Sequence, residues 1–158
     1  MPILVRVRKR LSPTRLASEV TESRRAKAFY RAEERALRGS EIDQGATPAA
    51  IRAMAVEAGQ LDVKVVVHYG IGRAVAAARP AKAALHFTPS ALTIPKAIHE
   101  IAHLVAGSTA EHGEEFVTAF VRLVANVGGV DLAARFEEVL EDEGAGLWEL
   151  PTLRHSVA

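Results

Sequence analysis

The chain of 158 residues contains no cysteine. Disulfide scaffolds, thiol nucleophiles, iron–sulfur clusters and cysteine-built zinc sites are thereby excluded. Any transition metal must be held by histidine and carboxylate, and six histidines are present to supply ligands. Long apolar runs are missing too. None approaches the roughly 18 residues that a membrane-spanning helix needs. The first residues turn charged at Arg6 and lack the extended apolar core of a signal peptide. A membrane protein is not expected, and the expected location is cytoplasmic.

What remains has an ordinary composition, 49% hydrophobic and 25% charged with a mean hydropathy of +0.08. The length suits one domain with a substantial core. Net charge is only +1, but its distribution is uneven. Residues 1–40 carry eleven Lys and Arg against four acids, and residues 100–150 carry two Arg against eleven acids. The two ends either face each other or occupy opposite solvated surfaces; a sharper reading makes the basic segment an arm for nucleic acid or another acidic partner.

Residues 1–14 read as a basic arm or a short edge strand, with β-branched residues in partial alternation over 3–9. Residues 15–38 read as a helix, with Ala26, Phe29, Ala32, Ala36 and Leu37 at three-to-four spacing. Thr47-Pro48 opens a second helix reaching about Gly59. Residues 61–68 are the best strand, and 84–88 a weaker one because alanine is a poor strand former. From Thr93 the pattern is helical. One helix is capped by Thr93 and stopped by Gly107, a second spans about 113–127, and a third spans 131–142. The tail from Gly144 reads as an extended docking segment anchored by Trp148 and Leu150. No repeat or linker is visible, so residues 15–158 are expected to form a single α+β domain, with a small sheet packed on helices.

The chemistry concentrates in His99-Glu100-Ile-Ala-His103, a His-Glu-x-x-His pattern within an apolar helix. Four residues advance a helix by about 400°, so both imidazoles project from one face, one turn apart. They can reach one ion, and Glu100, one step round, can take a proton from a water activated there. Core histidines can also be satisfied by hydrogen bonds alone. Here, however, Ile98, Ile101, Ala102, Leu104 and Val105 mark a buried helix, and three ionisable groups on it need partners. A metal is the simplest common one. Third-ligand candidates are His112, Glu111, Glu114 and Glu115. His112 is favoured, because the chain can reverse after Gly107; the glutamates also suit the first turn of the next helix, and Glu111 could orient an imidazole. Three neutral imidazoles would leave zinc its charge and an open position. Tyr69 and His86 are lesser candidates for stabilising an oxyanion. His68 and His155 carry no assignment.

His99-Glu100-Ile-Ala-His103 followed by His112-Gly113-Glu-Glu-Phe116 resembles zincin-type metallopeptidases of SprT/Spartan-like organisation. It is also similar to a group of small metallohydrolases from actinobacteria and their phages, which pair this motif with a helix like Ser23-Arg-Arg-Ala-Lys-Ala-Phe-Tyr-Arg-Ala-Glu33. The resemblance covers roughly residues 23–127. It implies a zincin-like fold, Zn2+ on His99, His103 and His112, Glu100 as general base, and a peptide or protein substrate. The cysteine-rich zinc ribbon of some SprT-like proteins is impossible here. Two other functions stand beside the hydrolase: a three-histidine metal-dependent nuclease, and a non-catalytic zinc-stabilised module recruiting DNA or an acidic protein. Glu100 argues against both, since a purely structural site needs no base next to its ligand.

Overall fold

The computed structural model describes residues 12–149. The suggested strand over residues 3–9, Leu150 and His155 lie outside them. Five helices and a small three-stranded mixed sheet make up an α+β architecture.

Helix α1 (Pro13–Leu37) begins two residues earlier than the periodicity suggests, because the Ser12 side chain accepts from the Arg15 N–H and Pro13 needs no partner in the first turn. Its C-terminal half buries Ala28, Phe29, Ala32, Ala36 and Leu37, whereas Ala26 is only half-buried. Helix α2 (Pro48–Glu57) starts at the Thr47 cap and buries Ile51 and Ala55. Strand β1 (Lys64–Val67) is shorter than the β-branched run: Leu61 is 73% exposed and lies in a turn. Strand β2 (Ala76–Arg79) was not visible in the sequence, while β3 (Ala84–Phe87) matches the weaker expectation closely. The sheet order is β1-β3-β2, with β1 parallel and β2 antiparallel to β3. One face carries Val65, Leu85 and Val67, Phe87 as paired neighbours towards the core. On β2 that face carries only Ala76 and Ala78.

Helix α3 (Ile94–Ala106) packs against β2, α2 and helix α4 (Glu114–Gly128). Gly107, at φ +91°, takes a left-handed turn that an L side chain would resist, and so ends α3. Helix α5 (Val130–Glu143) packs on α4 and α1. Phe29 centres an aromatic cluster, with its ring 4.8–5.3 Å from those of Phe116, Phe120 and Phe136. These edge-on contacts join α1, α4 and α5, and add to the burial of four large rings.

The opposing charges of the two ends meet between helices. Arg31 Nε lies 2.8 Å from Glu143 Oε2, and Arg35 Nη1 lies 2.6 Å from Glu143 Oε1 and 2.8 Å from Asp142 Oδ2. The Arg35 and Arg31 guanidinium groups hold the Glu143 carboxyl below its ordinary range. Since the folded pKa lies below the unfolded one, this contribution is complete above about pH 4.3 and fades as pH falls through the folded value. Glu143→Gln is therefore expected to lower the melting temperature at pH 7, with the gap to wild type narrowing below about pH 4 in a calorimetric pH series. Phe29→Ala should cost about 3–5 kcal/mol in denaturant titration, because it empties the centre of the aromatic cluster.

Candidate metal centre

His99 and His103 lie one turn apart on α3, as four-residue spacing requires. His99 is 2% exposed and His103 half-buried, with its ring stacked on Phe116 at 4.3 Å. After Gly107 the chain reverses through two turns, closed by Ala110 N–H to Gly107 O and Gly113 N–H to Ala110 O. Glu111 occupies left-handed backbone at φ +48°, unusual for a residue with a Cβ, and directly precedes His112. His112 thereby comes back over α3. One nitrogen from each of His99, His103 and His112 lies within 4.8 Å of the others.

Helix α1 fixes how two of these rings face. Glu33 Oε2 is 3.1 Å from His99 Nδ1, and Glu22 Oε1 is 2.7 Å from His112 Nδ1. Glu22 also accepts from the His112 backbone N–H. Paired with a carboxylate in this way, each Nδ1 can donate and leave its Nε2 available to ligate. Those two Nε2 atoms are 3.4 Å apart. Nitrogens bound at 2.0–2.1 Å to one tetrahedral zinc stand about 3.3 Å apart, close to the spacing of the His99–His112 pair. Burial, and then His99 and His112, push the His103 pKa down to about 3; burial also lowers that of His112. Both rings are neutral near pH 7, the form that ligates.

Glu100 is buried and borders a cleft of about 380 Å³ beside His103 and His112. Burial pushes its carboxyl pKa up, opposed by His99 and by a hydrogen bond from the Ala78 backbone. The other sequence candidates fall elsewhere. Glu111 borders the cleft but is outside the three-histidine group, and Glu114 accepts from the Glu149 N–H. His86 points to the face of the sheet opposite Leu85 and Phe87, where its Nδ1 meets His68 Nε2 at 2.8 Å. Tyr69 is exposed, and neither it nor His86 borders the cleft. Trp148 acts as the tail anchor: its Nε1–H donates to the His112 carbonyl at 2.8 Å.

Protein-family models, curated proteins and solved structures provide no match to this chain. The resemblance in the sequence therefore rests on its motif residues, and the finding here is a three-histidine group able to hold a metal ion.

Sequence reasoning did not single out Glu22, Tyr30 and Glu33. A signal existed: Glu22 and Glu33 are eleven residues apart, about three helical turns, and so share one face. Glu33 also follows Ala32 within the buried stripe. Outer carboxylates of this kind typically contribute 10–100-fold to metal affinity. Glu22→Ala is expected to weaken zinc binding within about that range in chelator competition, while α-helical circular dichroism is retained.

Proposed function

We propose that the chain is a zinc-dependent hydrolase of zincin-like fold, acting as a metallopeptidase on peptide or protein substrates. The observation that carries this reading is the pair of Nε2 atoms 3.4 Å apart on His99 and His112, grouped with His103 and flanked by the buried Glu100. His99, His103 and His112 would hold the ion. Zinc bound there supplies Lewis acidity to a carbonyl and lowers the pKa of water. Glu100 is the general base: it takes the proton of the attacking water and returns it to the departing amine.

The sheet edge supports a peptide over other substrates. Ala78 donates its backbone N–H to Glu100, so Ala76 and Ala78 turn their main-chain groups away from β3. An extended peptide laid along that edge can pair with the main-chain groups that Glu100 does not occupy. Methyl side chains at both positions, which border the cleft, leave room for it.

Purified protein is expected to contain close to one zinc per chain. With unfolded casein as probe, Glu100→Gln should keep the metal and lose about 10²–10⁴-fold in turnover. Metal content near zero in wild-type protein overturns the reading. Undiminished hydrolysis by Glu100→Gln overturns the assignment of the base.

A further inference from the structure

A carbonyl under attack develops negative charge on oxygen, and a site that accelerates the step aims a hydrogen-bond donor at it. The lining of the cleft supplies few. Its carboxylates accept only, its alanines and proline offer no side-chain donor, and no Lys or Arg is among the lining residues. His112 spends its Nδ1–H on Glu22, and its Nε2 faces the other imidazoles. The side-chain hydroxyls in the lining are those of Tyr30 and Ser108. Ser108 is exposed on the turn after Gly107, with nothing to fix its direction.

Tyr30 is held on both sides. Its ring lies parallel to the His99 ring, 5.2 Å between centroids at an interplanar angle of 7°, and meets the His112 ring at 5.5 Å and 60°. Lys96 Nζ stands 5.8 Å from the ring centroid. The phenol is 47% exposed and its hydroxyl hydrogen-bonds to none of the described residues. It is a positioned donor at the wall of the cleft with no partner of its own.

We propose that Tyr30 is a catalytic residue whose hydroxyl donates a hydrogen bond to the oxyanion forming on the scissile carbonyl. The inference rests on the metallopeptidase reading and adds to it the group that neither Tyr69 nor His86 can provide. The phenol keeps its proton throughout and forms no covalent bond. Because α1 also brings Glu22 and Glu33, one helix would supply the outer carboxylates and the oxyanion donor together.

The test compares zinc-loaded wild type with Tyr30→Phe, which keeps the ring stacked on His99 and removes only the hydroxyl. With casein, kcat is expected to fall about 10²–10³-fold with KM little changed. Independently of turnover, calorimetric titration with acetohydroxamate, whose oxygens bind zinc and accept hydrogen bonds, should show affinity reduced about tenfold or more. Zinc stoichiometry and melting temperature should match wild type. Equal acetohydroxamate affinity in the two zinc-loaded proteins overturns the role of Tyr30 and leaves the metal site standing. A wild type that binds no zinc overturns the site and this inference together.

Discussion

Two carboxylate–imidazole contacts, Glu33 with His99 and Glu22 with His112, determine how the rest of the centre is arranged. Each fixes a tautomer, and together they turn two lone pairs towards one point. The arrangement is costly without a cation. Glu33 is buried, and its Oε1 has no hydrogen-bond partner among the described residues. Effective penalties for buried charges run to several kcal/mol. A metal ion held beyond His99 would offset such a charge through the ring, which would couple metal binding to the stability of this region.

The rest of the architecture holds α1 in the position that those contacts require. The Phe29 cluster fixes the depth of the helix against α4 and α5, and the ion pairs of Arg31 and Arg35 with the end of α5 fix its register. Exposed pairs contribute little energy individually. Their value here is geometric, since a slip of α1 by one residue would rotate Glu22 and Glu33 by about 100°. The third histidine needs comparable support because it comes from a turn. Glu22 holds its backbone N–H, Trp148 holds its carbonyl, and left-handed Glu111 sets the approach.

Much of this was legible from local rules. The His99–His103 spacing, the Thr47 and Thr93 caps, the Gly107 stop and the apolar stripes of α4 and α5 each depend on residues within about two turns of one another. His112 could be chosen because a reversal after a glycine is also local. What stayed hidden is non-local. Glu33 meets a histidine 66 positions away and Glu22 one 90 positions away, so no helix-scale pattern registers either contact. Strand β2 is three alanines and an arginine, without the β-branched residues that mark strands, and only pairing with β3 makes it one. The same alanines that hid the strand leave space above α3. Leu61 failed in the opposite sense: its side chain suits a strand, but it lies in a turn where no partner reaches it.

Charge also discriminates between the functions that the sequence left open. The basic excess of the N-terminal segment is partly neutralised within the fold, where Arg31 and Arg35 face α5. The cleft itself is bordered by Glu22, Glu100 and Glu111, with no Lys or Arg among its lining residues. A phosphodiester brought there would meet three carboxylates, with no Lys or Arg among the lining residues to offset them. A peptide carries no backbone charge and can pair with the edge of β2, and a cationic side chain near the mouth would find Glu111 exposed beside it. The carboxylate lining of the cleft is thus in keeping with the proposed peptide substrate, on grounds separate from the position of Glu100 in the motif.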